Sequence, residues 1–207
     1  MNDTIVKKYN AEIHSQSAIE AVLDIKHRHH LSAAGVHSIE VEIFAVAYNI
    51  IGGGEEGERA AIRTKEDADH SLRYILAAAL LDDQVTPAQY DPARIQRADV
   101  QALLERIRIR PDERLSKRFP EAMPCRLAVH LKDGRSLGIE KNDYEGFHTR
   151  PATWNLVLNK FDELSGPYAP PDLQREIAGR IREIEKIRIE ELVRLLRNVR
   201  MPEPAAA

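Results

Sequence analysis

Ala11-Glu12-Ile13-His14-Ser15-Gln16-Ser17-Ala18-Ile19-Glu20-Ala21 is the stretch from which the rest of the chain is read. Polar and apolar residues alternate at first, and the period then lengthens. Ile19, Val22 and Leu23 recur at helical spacing, with Ala18 and Ala21 alongside. The pattern predicts a helix from Ser17 to Lys26, capped by Ser15 or Ser17. Glu12, His14 and Gln16 gather where that helix begins, and helix N-termini favour anionic groups. An imidazole titrates near neutral pH, so His14 is the natural acid/base candidate. This site-like segment starts ten residues after Met1, and the expectation is that much of any active site lies outside the chain.

Outward from there, His37 to Ile43 alternates with period two, Ile39, Val41 and Ile43 on one face and Ser38, Glu40 and Glu42 on the other. That is a strand. Gly52-Gly53-Gly54-Glu55-Glu56-Gly57 reads as a surface loop. It lacks the Lys-Ser/Thr ending of a phosphate loop, and its two glutamates would repel phosphate. A helix is predicted from Asp69 to Leu81 with Asp69 as its cap, and Thr86-Pro87 opens a short one. Another starts at Asp99, with Val100, Leu103, Leu104 and Ile107 facing a core. Cys125 to Leu131 alternates again, followed by Asp133-Gly134, Leu137 and Ile139, the signature of a hairpin.

After Pro151 the period is helical once more. Trp154, Val157, Leu158, Phe161 and Leu164 form a stripe behind a Thr153 cap, 166–171 is a linker, and 172–199 is helical in two pieces. The expected organisation is α+β: a small mixed unit of antiparallel strands and helices over 1–150, C-terminal helices over 151–200, and a frayed tail over 201–207.

A net charge of −3 and a pI near 6.3 offer no attraction to nucleic acid or an acidic membrane surface. One cysteine, Cys125, is too few to build a disulfide framework or to ligate an iron–sulfur cluster from this chain, and no cofactor is expected. His27, His29 and His30 lack a placed cysteine or carboxylate to complete a metal set, and read as polar groups at a helix C-terminus. With neither a signal peptide nor an apolar run of spanning length in the sequence, a cytoplasmic protein is expected.

Lys7-Lys8-Tyr9-Asn10, running into the opening stretch, resembles a segment of the MmgE/PrpD family. So, in the same order, do Ile43-Phe44, the glycine run, and Lys65 to Tyr74 with the alanines Ala77-Ala78-Ala79. Val85-Thr86-Pro87-Ala88-Gln89-Tyr90 and Asn159-Lys160-Phe161 continue the likeness, which spans roughly Lys7 to Leu196. The family contains 2-methylcitrate dehydratase and cis-aconitate decarboxylase. The resemblance implies that 1–150 is a lid domain and that 151–200 returns to pack on a large N-terminal helical domain. That domain would come from a second polypeptide or a longer parent chain.

The implied activity is a hydro-lyase without an iron–sulfur cluster, dehydrating 2-methylcitrate, with citrate and aconitate as further substrates of the family. Decarboxylation of cis-aconitate, epimerisation, or a non-catalytic interaction module are the alternatives. A tricarboxylate needs cations to hold it and to stabilise charge that develops beside a carboxylate. Lys7 fits the family's lysine-any-aromatic spacing before Tyr9, and Lys8 fits after a small shift. Lys7 and His14 are the expected catalytic residues, and Lys8, Tyr9, Glu12, Ser15, Gln16 and His70 the expected substrate contacts. Glu12 stands nearer than His14 to the histidine of decarboxylating relatives, which leaves the acid/base role open between them. The implied partners are a small tricarboxylate, the helical polypeptide and a second copy of the chain.

Overall fold

In the computed structural model, residues 4–54 and 62–200 are described, and the chain divides into two compact units, Met1–Pro151 and Ala152–Ala207. Most of the glutamate end of the glycine run, and the C-terminal tail, lie outside the described residues.

The first unit is organised on a four-stranded sheet in the order β2-β1-β3-β4: β1 (Val36–Ile43), β2 (Ile107–Pro111), β3 (Cys125–Leu131) and β4 (Ser136–Lys141). β1 and β3 are antiparallel, with Ile39, Val41 and Ile43 opposite Val129, Leu127 and Cys125. All six are buried, so the period-two faces read from the sequence are the core face of the sheet. The β3–β4 hairpin forms as predicted. Gly134 at φ +89° supplies the left-handed residue that its tight turn requires.

Two expectations are corrected here. The sheet is mixed: β2 runs parallel to β1, pairing Ile107 with Ile39 and Ile109 with Val41. Ile107 is buried as expected, but on a strand, because the helix α6 (Ala98–Leu104) stops before it. The helix predicted from Asp69 is in fact two, α3 (Lys65–Asp69) and α4 (Leu72–Asp82). Asp69 ends the first, whose cap is Thr64. The second is capped by Ser71, whose Oγ accepts the Tyr74 N–H at 3.3 Å. A further helix, α2 (Ala45–Ile51), follows β1 directly, and α5 (Pro92–Ile95) and α7 (Glu113–Ser116) are single turns.

The core lies between the sheet and two helices, α1 (Gln16–His29) and α4, which pack on each other. α1 covers β3 and β4, and α4 reaches β2. The run Tyr74-Ile75-Leu76-Ala77-Ala78-Ala79-Leu80 is buried throughout, which is why it lacks a polar face. The opposite sheet face is charged. Glu42 meets Arg110 at 2.5 Å and also Arg126, while Glu140 takes Arg126 at 3.0 Å and Arg118 at 2.8 Å. Cys125 is fully buried, and burial pushes its thiol up to about 12, so it stays protonated and inert. His27 Nε2 lies 2.7 Å from an Asp83 carboxylate oxygen at the end of α1.

In the second unit, α8 (Trp154–Ser165) is capped by Thr153 as predicted, and α9 (Pro171–Arg182) and α10 (Ile189–Leu196) follow. The linker ends at Pro170, since Pro171 is the first helical residue, a position that tolerates a missing N–H. Gln174 joins the first two helices by donating to the Asp162 carbonyl and Ser165 Oγ, both at 2.8 Å. Few side chains here are buried: none on α8, Gln174 and Ile177 on α9, Leu192 on α10. No described helix is long and apolar enough to cross a membrane.

Candidate active site

The segment before α1 is fixed by its own polar side chains. Gln16, fully buried, accepts the Tyr9 N–H at 2.9 Å and donates to the carbonyls of Tyr9 at 3.2 Å and Ala11 at 3.4 Å. Ser15, also buried, donates to the Glu12 carbonyl at 2.6 Å. Asn10 N–H reaches the Val85 carbonyl at 2.9 Å. The helix therefore enters through a 3-10 turn, Ile13–Ser15, and its predicted serine caps are not made: Ser15 occupies the cap position without a side-chain bond to the helix. In this arrangement the Ser15 hydroxyl hydrogen and the Gln16 amide are directed at the loop backbone.

Glu12 takes the capping role instead. One carboxylate oxygen accepts the His14 N–H at 2.7 Å, and the other lies 2.7 Å from His14 Nδ1. A carboxylate only accepts, so Nδ1 carries the hydrogen and neutral His14 keeps its lone pair on Nε2. The described residues give Nε2 no hydrogen-bond partner. The imidazole is walled by two aromatic rings, Phe44 at 5.6 Å and Phe119 at 5.8 Å, which stack on each other at 4.6 Å. With 14% of the His14 side chain exposed and 15% of Glu12, the pair is sheltered yet reachable. A carboxylate behind an imidazole orients it and stabilises the imidazolium that forms when Nε2 takes a proton. Glu12 and His14, left as alternatives by the sequence, form one pair.

Lys7 is exposed on the arm leading in. Lys8 is committed: its ammonium lies 2.9 Å from Glu145 and 3.6 Å from Glu20, over the Tyr9 ring at 5.5 Å. Burial, with the nearby Glu20, Asp24 and Glu145 charges, pushes the Tyr9 phenol well above its ordinary value. His70 stands apart, exposed at the end of α3 with Nδ1 3.2 Å from the Glu66 carbonyl. It makes no hydrogen bond or ring contact to the Glu12–His14 pair.

Sequence reasoning passed over Glu20, Lys141 and Arg150. Glu20, only 5% exposed, accepts from Lys141 at 2.9 Å, Arg150 at 2.8 Å and the Glu145 N–H at 3.0 Å. Burial alone would raise its carboxyl; those three donors outweigh burial and hold it at about 2. One signal was available: Glu20 follows Gln16 by one turn, on the side of α1 that carries Ile19 and Leu23. A carboxylate in that position must find partners. Nothing in the sequence marks Phe44 and Phe119 as neighbours of His14.

A model of the MmgE/PrpD C-terminal domain matches residues 9–186. The 2-methylcitrate dehydratase of Cupriavidus necator is 26% identical over 187 residues, covering 86% of this chain and 38% of that protein. The enzyme of the same name from Salmonella typhimurium is 26% identical over 146 residues, 69% of this chain and 30% of that protein. Mouse cis-aconitate decarboxylase is 24% identical over 98 residues, 47% and 20% of the two chains. The chain thus matches well under half the length of these relatives.

Proposed function

The chain belongs to the MmgE/PrpD family, and from that premise we propose that it is the C-terminal part of a hydro-lyase dehydrating 2-methylcitrate or a closely related tricarboxylate. The observation carrying this reading is the Glu12–His14 pair, with Nδ1 engaged at 2.7 Å and the imidazole partly exposed beside the Phe44 and Phe119 rings. Dehydration removes a proton from carbon next to a carboxylate and expels the hydroxyl of a tertiary alcohol as water. His14 Nε2 carries one of those proton transfers, with Glu12 orienting the ring and offsetting the charge it gains. Lys7 holds a substrate carboxylate and stabilises negative charge as the proton leaves. The opposing acid or base and the remaining cations come from the family's helical domain, on a second polypeptide or a longer chain, and the working enzyme is a homo-oligomer.

The test is to prepare the chain with and without a polypeptide carrying that domain, and to follow 2-methylcitrate, citrate and cis-aconitate. Formation of unsaturated product from 2-methylcitrate is expected only with both pieces present. Loss of preorganised groups costs many powers of ten in rate, so the chain alone should be silent. Turnover by the isolated chain refutes the divided site. Release of carbon dioxide from cis-aconitate, without dehydration of 2-methylcitrate, replaces the reaction assigned.

A further inference from the structure

Glu20 lies at the centre of a closed ring of contacts that includes the arm before α1. One of its oxygens accepts from Lys141 and Arg150, the other from the Glu145 N–H, with the Lys8 ammonium 3.6 Å away. Lys8 also donates to Glu145 at 2.9 Å. The backbone closes the same ring, for Val6 N–H donates to the Gly146 carbonyl at 2.8 Å. Gly146 sits at φ +115°, and a Cβ there would lie 2.3 Å from the Val6 carbonyl oxygen, so arm and turn are in direct backbone contact. Lys141 additionally meets Asp24 at 2.6 Å, and Arg150 meets Asp143 at 3.1 Å. The three cations face four carboxylates, which leaves no surplus positive charge in the cluster to hold a tricarboxylate.

We propose that Glu20 is a positioning residue: through Lys8 and the turn at Glu145-Gly146 it seats the arm, and so sets where Lys7 meets a substrate carboxylate. The inference rests on the role proposed for Lys7. His14 is held separately, by Glu12 and the 3-10 turn, so Glu20 acts on what Lys7 does and leaves the proton-carrying pair in place.

The test uses Glu20→Gln in the chain combined with the helical polypeptide. Glutamine keeps the shape and one accepting oxygen. If that oxygen stays with Lys141 and Arg150, the new N–H₂ faces the Glu145 N–H and Lys8 and repels both. The expected result is a rise in KM of about tenfold, the scale of one lost charge-assisted hydrogen bond. The pH profile of kcat should be kept because His14 is untouched, kcat itself should fall less than in Lys7→Ala, and the Val6 and Glu145 amides should exchange faster with solvent. Wild-type KM and wild-type exchange overturn the proposal, as does a fall in kcat with KM unchanged. If Glu20→Gln does not fold, Lys8→Met, which cuts only the arm's side of the ring, must raise KM and Val6 exchange in its place, and overturns the proposal if it does not. An assembly inactive on every tricarboxylate defeats the proposed function, whereas wild-type exchange at Val6 in Glu20→Gln defeats the seating itself.

Discussion

Imidazole chemistry singles out His14 in the sequence and the likeness to the family singles out Glu12, but their contact at 2.7 Å across a tight turn was not legible there. Their expected consequences are direct. In the assembled enzyme, His14→Ala or Lys7→Ala should lower turnover about a hundredfold, the usual effect of removing one acid/base or electrostatic group, while Lys8→Ala should cost kcat far less. Steady-state rates at saturating substrate decide this, and wild-type rates in both of the first two variants would make the segment structural. For Glu20 the sequence offers only its place on the apolar side of α1; its partners were not legible, because they stand 121 and 130 residues away. Its carboxyl titrates near 2 when folded, against 4.5 for an ordinary glutamate. A depressed value means stability that is full above about pH 4.5 and lost as pH falls toward 2, on the order of 3 kcal/mol for this group. Acid unfolding followed by circular dichroism should therefore flatten over that window in Glu20→Gln. An unchanged slope would mean that the cluster does not hold its charge.

Among the elements, those with a local signal were read correctly. β3 and β4 carry strict alternation around Asp133-Gly134, and α1 carries a clean 3.6-residue stripe. β2 escaped because Ile107-Arg108-Ile109-Arg110-Pro111 is short and follows a helix. Its pairing with β1 is parallel and distant in sequence, so no turn residue announces it. The break between α3 and α4 turns on one hydroxyl, that of Ser71, which the apolar run behind it obscures. Ser71→Ala should therefore cost about 1 kcal/mol, the ordinary worth of a serine cap, read as a shift in the urea midpoint with unchanged m-value. No shift would mean that burial of α4 alone defines its start.

Across the whole molecule the two units differ in how much they bury. Met1–Pro151 has a continuous core around the sheet. In the second unit Ile184, Ile189 and Leu196 are 49%, 63% and 48% exposed, with Val157, Leu164, Ile181 and Val193 exposed beside them in the sequence order of its helices. Apolar surface on this scale marks an interface or an aggregation site. Purified alone, the chain should self-associate or bind a hydrophobic dye, and a polypeptide carrying the helical domain should suppress both. Light scattering and dye fluorescence report this. A monodisperse, dye-silent monomer would mean that these helices need no covering partner.

Three donors converging on the two oxygens of Glu20, with the Lys8 ammonium 3.6 Å away, also constrain how this sequence can change over time. Replacing Glu20 alone removes the counter-charge that Lys141 and Arg150 share and leaves them only Asp24 and Asp143. Replacing any single cation leaves the glutamate short of a partner. Drift through this site therefore proceeds by joint substitution. Homologues in which an apolar residue stands at position 20 should also have lost charge at 8, 141 and 150, and a family alignment in which these four positions vary independently would contradict it.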